Sequence, residues 1–165
     1  STRYREYMQV RLLVVGPTED RLLTSLIEGY CGRISHYIPF EIEVIPNISG
    51  GQTRYDLARL KQLEGEQILR RIKPSDEVVL LDEKGKEPTS QELATLLEKK
   101  MLSGAKRWTW VVGGPFGFSQ EVYNAIPQRL SLSRLTFTHN MIRLLAVEQL
   151  YRALTILNNE PYHHN

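Results

Sequence analysis

The chain has 165 residues, of which 41% are hydrophobic and 24% charged, with 21 Lys and Arg against 19 Asp and Glu for a net charge of +2. That make-up excludes a disordered chain, the longest apolar run is far short of the roughly 20 residues that cross a bilayer, and no secretory signal is recognisable, so a cytoplasmic protein without a membrane role is expected. Cys31 is the single cysteine, which excludes an internal disulfide, and no Cys/His pair has zinc-site spacing, so no metal is expected either.

Residues 1–7 (STRYREY) are polar and aperiodic, and Met8 precedes a strong apolar run. They read as a cloning remnant or a short extension, with one domain over 8–165. Val10 to Val15 (VRLLVV) is a continuous apolar run stopped by Gly16-Pro17, the pattern of a buried strand and turn. Leu22, Leu23, Leu26, Ile27 and Tyr30 then recur at helical spacing between Glu19 and Arg33. Phe40 to Ile45 (FEIEVI) alternates with period two, as a half-buried strand near a sheet edge does, and a loop follows over Pro46 to Gly51. Tyr55 to Ile72 reads as an amphipathic surface helix, and Val78 to Leu81 (VVLL) as a third buried strand.

Asp82 to Lys86 (DEKGK) is expected as a charged turn. Thr89-Ser90-Gln91-Glu92 has the form of a capping box, in which side chains satisfy the free amides of a helix start, and that helix runs to about Ser103. Trp108 to Val112 (WTWVV) is a fourth strand leading into a glycine-rich loop, Gly113 to Gly117, after which Ser119 can cap a short helix. Leu130 to Phe137 alternates, and a long last helix begins at His139 or Asn140 and ends near Asn158. Strands apolar on both faces and separated by helices imply an α/β fold, a parallel sheet with helices on both faces. Ligands of such sheets bind beyond the carboxyl ends of the strands, which selects Asp82 to Lys86, Gly113 to Gly117 and the region after Ser131.

The loop VVGGPFGFS fails two familiar tests. It is not G-x-G-x-x-G after the first strand, and it has no Gly-Lys-Ser/Thr end to meet phosphates. Missing Cβ atoms at Gly113 and Gly114, with Pro115 pinning the turn, would let a neutral or cationic ligand lie against bare backbone; the plain alternative is a strand-to-helix turn with no ligand. The last helix is apolar on nearly every face, which calls for burial all round and suggests a twofold partner, the alternative being a central core helix of one chain. Glu148 and Arg152 stand four apart on it and can pair, and an arginine on so apolar a helix usually has a specific anion to meet.

The runs LLDEKGKEPTSQELA, VVGGPFGFS, LSLSRLTFTHNMIRLLAVEQLYRA and EPYHHN, taken in order, resemble the ribosomal RNA large-subunit methyltransferase H family of the SPOUT class, over essentially Met8 to Asn165. The resemblance implies a C-terminal trefoil knot, a homodimer with the last helices at its interface, and S-adenosylmethionine-dependent methylation of N3 of a pseudouridine in 23S rRNA of the assembled ribosome. It places cofactor contacts on Leu81, Gly114, Ser133, Arg134, Leu135, Thr136, Phe137 and Thr138, and links Arg152, Tyr162 and His163 to substrate handling and catalysis. Many members carry proline where Thr138 stands, so the entry to the last helix is expected to be less rigid here.

In that chemistry Leu81, Leu135 and Phe137 supply apolar contacts suited to a sulfonium, which a positive side chain would repel. Arg152 would bind phosphate or the anionic base, and His163 is a candidate proton acceptor because imidazole titrates near working pH. His139 reads as a helix-start residue, and Lys99-Lys100 and Lys106-Arg107 as solvated faces or RNA phosphate contacts. Two other readings stand beside the enzyme: a non-catalytic RNA-binding or ribosome-assembly dimer of the same fold, and a flavodoxin-type binding domain, for which Gly16-Pro17-Thr18 supplies a poor phosphate loop.

Overall fold

The computed structural model describes residues 8–48 and 56–164. The readings of residues 1–7, of the end of the loop after Ile45 and of Tyr55 as a helix start lie outside them. Ten elements follow in order: β1 (Gln9–Val15), α1 (Arg21–Ile34), β2 (Phe40–Ile45), α2 (Leu57–Arg70), β3 (Glu77–Lys86), α3 (Ser90–Leu102), β4 (Arg107–Val112), α4 (Gln120–Ala125), β5 (Arg129–Leu130) and α5 (His139–Leu157). The strands form one sheet in the order β2-β1-β4-β3-β5, and every pairing is parallel. The alternating strand β2 lies at its edge, as its acidic positions require.

Period-two alternation sorts the sheet's side chains into two layers. Val10, Leu12, Val14, Val79, Trp108 and Trp110 pack with Ile27 and Ile34 of α1, Leu93 and Leu97 of α3, and Ala146, Val147 and Leu150 of α5. Leu13, Val15, Leu80 and Val111 face the other way, onto Ile68 of α2 and Val122 of α4. Helices therefore cover both faces, which is why these strands carry apolar residues at consecutive positions.

Helix starts follow local chemistry. The Thr89 hydroxyl accepts from the Glu92 amide while the Glu92 carboxylate accepts from the Thr89 amide, completing the expected capping box. Ser119 caps α4 and Thr138 caps α5, its hydroxyl accepting from the Met141 amide. Thr138 thus holds the entry to the last helix by a hydrogen bond.

Two expectations change. Asp82 to Lys86 is not a turn: β3 runs on through it, with the register against Leu130 shifting between Leu81 and Lys86. Gly85 makes this possible, since a Cβ there would stand 2.7 Å from the backbone of Arg129 and Leu130. Glu83, Lys84 and Lys86 are exposed, so this part of the strand carries no apolar alternation. Conversely the alternation over 130–137 yields only a two-residue strand, β5, and Leu135 and Phe137 are exposed.

The amino ends of the strands are tied by charge. Arg11, fully buried on β1, donates to Glu43 at 3.0 Å, Thr109 at 3.2 Å and the Arg71 carbonyl at 3.1 Å. Asp76 accepts two bonds from Arg107, at 3.0 and 2.9 Å, and lies 3.5 Å from Arg11. Arg107 is therefore committed inside the fold, while Lys100 lies 3.6 Å from a half-exposed Glu77. Burial pushes the Asp76 carboxyl up, but the bonds from Arg107 and the Lys73 amide and the nearby Arg107 and Arg11 charges outweigh it and hold its pKa below the ordinary 3.8. Its contribution is thus complete above that value and is lost as pH falls through the lowered folded value. Asp76→Asn, leaving Arg11 and Arg107 under-compensated, is expected to reduce unfolding free energy by about 3 kcal/mol at pH 7 and to flatten the acid limb of stability against pH, both read by urea titration.

Candidate functional site

Parallel order brings the carboxyl ends of β3 and β4 side by side, and the start of α5 closes over them. Between them lies a cleft of about 1010 Å³. Leu81 to Lys84 form one wall, the 112–118 turn a second, and Leu132, Ser133 and Leu135 to Asn140 a third, with Lys61 of α2 at the rim. These are the three segments that the sheet rule selects from sequence.

Carboxylates of β3 and of Glu87 just beyond it fasten the third wall. Glu83 accepts the Thr136 hydroxyl at 2.8 Å, and Glu87 accepts the Arg134 amide at 3.0 Å. Asp82 accepts the hydroxyl of Tyr123. Burial, with that bond, pushes the Tyr123 hydroxyl up to about 12, and the Arg129 guanidinium lies 4.1 Å over its ring. Ser133 turns the chain locally, its hydroxyl accepting from the Leu135 amide.

The glycines of the second wall have separate reasons. Gly117 has φ +81 and donates to the Gly114 carbonyl at 3.1 Å, a turn that disfavours any side chain. A Cβ on Gly113 would press the Phe118 ring at 3.0 Å. A Cβ on Gly114 would stand 2.7 Å from Glu64 Oε1, so the bare position makes room for a carboxylate of α2, where the sequence suggested room for a ligand.

Seven of the eight expected cofactor positions line the cleft: Leu81, Gly114, Ser133, Leu135, Thr136, Phe137 and Thr138. Arg134 is not among the lining residues: its amide donates to Glu87, and its side chain is 85% exposed and faces Glu87 at 3.9 Å. The expected catalytic trio is elsewhere. Arg152 donates to Glu148 at 2.8 Å and approaches His163 Nδ1 at 3.1 Å, while the Tyr162 hydroxyl donates to Glu148 at 2.8 Å beneath the Arg152 guanidinium. Glu148 keeps the guanidinium charged, and burial together with Tyr30 and Glu148 raises the Tyr162 hydroxyl well above its ordinary range. Tyr37 holds the tail by donating to Glu160 at 2.7 Å. Arg152 is 13 residues beyond His139 on one helix, about 20 Å along its axis. Within one chain the trio does not reach the cleft.

Two residues escaped the sequence. Arg143, 1% exposed on α5, donates to the Val15 carbonyl at 2.7 Å and to Thr18 at 2.9 Å, and burial lowers its pKa to about 10. Like Arg152, it is an arginine on an apolar helix and needs a partner. With burial it also lowers the pKa of His139, which lines the cleft. Glu64 is the other; among the many charges of α2 nothing marks it as buried. Among the described residues no three His, Cys, Asp or Glu side chains are arranged to hold a metal ion, and no helix is long and apolar enough to cross a membrane.

The sequence pattern of the family described as "Predicted SPOUT methyltransferase" matches residues 8–163. The chain belongs to the SPOUT methyltransferase family. Relatives from Porphyromonas gingivalis and Parabacteroides distasonis, 52% and 53% identical over 95% of this chain and 99% of their own length, are each named ribosomal RNA large subunit methyltransferase H. One from Christiangramia forsetii, 47% identical over the same shares, bears the same name. In this SPOUT chain Gly114→Val is expected to cost about 1–3 kcal/mol of stability by overpacking against Glu64. Adding Glu64→Ala should recover part of that loss, and a double-mutant cycle by urea unfolding measures it.

Proposed function

We propose that the chain is an S-adenosylmethionine-dependent methyltransferase that acts in the cytoplasm on 23S rRNA of the assembled ribosome, at N3 of a pseudouridine. The observation that carries this reading is the chain-long likeness to ribosomal RNA large subunit methyltransferases H, together with the fall of the expected contact positions on one cleft. The residues present suit the cofactor. The cleft offers apolar faces from Leu81, Leu132, Leu135 and Phe137, bare glycine backbone, and behind Gly114 a carboxylate whose Oε1 is without a partner.

When bound, S-adenosylmethionine supplies an electrophilic methyl: the N3–C bond forms as the S–C bond breaks, sulfur keeps the electron pair, and the N3 proton passes to a base. Positioning two reactants at attack distance supplies much of such an acceleration. Arg152, kept charged by Glu148, binds a phosphate or the anionic base, Tyr162 orders that pair, and His163 is the proton acceptor.

The separation of cleft and trio makes a homodimer part of this reading. A twofold axis across α5 packs two copies of the helix antiparallel, bringing the carboxyl end of one beside the amino end of the other. Met141, Leu144 and Leu145, exposed or half-buried on the same helix face as Glu148 and Arg152, supply the apolar seam. The family's trefoil knot belongs to the same reading, with the segment after β5 as the threaded piece.

Incubated with methyl-labelled S-adenosylmethionine and ribosomes lacking the modification, the protein is expected to place label on one pseudouridine of 23S rRNA. Arg152→Ala should lower that rate at least about 100-fold while donor affinity and dimer mass persist. Folded protein that binds ribosomes and transfers no label would favour the non-catalytic assembly factor.

A further inference from the structure

The carboxylates around the cleft are not equivalent. Asp82 and Glu83 are engaged by Tyr123 and Thr136. Glu64 differs: it is 7% exposed, and among the described residues its Oε1 has no hydrogen-bond partner. Its two oxygens stand 2.7 and 3.0 Å from the Cβ position of Gly114, directly behind the cleft wall. The insertion is built by backbone choice. Gly65 lets α2 approach, since a Cβ there would lie 2.6 Å from Ser119 Oγ and 2.9 Å from Val122 Cγ2. Lys61, one turn earlier on α2, lies at the rim and makes no ion pair with it among the described residues.

Burying a carboxylate without a partner is costly, and burial alone raises its pKa here. Such a group takes up a proton unless a compensating charge arrives from outside, and Gly114, against which its oxygens pack, lines the cleft. We infer that Glu64 is the counter-charge of the donor cleft, favouring a ligand that is positive at sulfur over the neutral thioether left after methyl transfer. This rests on the donor-binding reading above. Glu64 acts across Gly114, touching neither reacting atom, and is a specificity residue. Coulomb attraction through a wall that excludes water is strong when the ligand bears the charge and vanishes when the methyl has left, so the same group that favours donor binding assists product release.

Isothermal titration of the full chain with S-adenosylmethionine and with S-adenosylhomocysteine separates this from a packing role. Glu64→Gln, which keeps the shape and removes the charge, is expected to weaken S-adenosylmethionine binding about tenfold and S-adenosylhomocysteine binding less than about twofold. Glu64→Asp, which keeps the charge, should retain most of the wild-type preference. Equal weakening of both ligands by Glu64→Gln, or no change in either, would overturn the inference and leave Glu64 as packing for the loop. A wild-type chain that binds neither ligand overturns the donor-cleft reading itself, and the inference with it.

Discussion

The distance between α2 and the turn after β4 governs the cleft, and glycines at 65, 113 and 114 set it. A Cβ at any of the three would meet a neighbour at 3.0 Å or less. Because none is present, α2 packs against Ser119 and Val122, Phe118 folds back under the turn, and Glu64 enters the space behind Gly114. The turn is then fixed from behind, while its open side faces Leu81 and the 132–138 segment across the cleft. Interiors at this density do not absorb an extra methyl without displacement elsewhere, so the position of the wall is a property of the backbone sequence.

The second constraint is the length of α5. Its amino end, capped by Thr138, forms part of the cleft, and its carboxyl end holds Glu148 and Arg152 with the tail folded onto them through Tyr162 and His163. A rigid helix keeps these two groups apart. The proposed chemistry therefore needs either a tail that detaches from its ring contacts with Tyr151 and Arg152, or a second copy. A second copy would require none of those contacts to break.

Much of the fold was legible in sequence because its signals are local. Continuous apolar runs gave β1, β3 and β4, strict alternation marked β2 as an edge, and hydroxyl or carboxylate caps marked the starts of α3 and α4. The misread pieces are those whose structure is decided by distant partners. The DEKGK run looks like a turn because its side chains are charged, but its backbone is held by β5. Leu135 and Phe137 alternate as strand residues do, yet Glu83 and Glu87 hold their segment in an irregular path. The cleft's three walls follow from the rule for parallel sheets, whereas the roles of Arg152, Tyr162 and His163 came only from resemblance. Glu64 was invisible for a physical reason: a glutamate on a charge-rich helix is ordinarily exposed, and only the close approach through Gly65 and Gly114 buries it.

The account stands or falls on whether one chain's cleft works with another chain's tail. Protomers carrying Gly114→Val, with a damaged cleft, can be mixed and allowed to exchange with protomers carrying Arg152→Ala, with a damaged tail. If the site is shared across a twofold dimer, half the dimers are mixed and each has one intact site, so methyl transfer should recover to about a quarter of the wild-type rate. Exchanged mixtures that remain as inactive as either variant alone would contradict it.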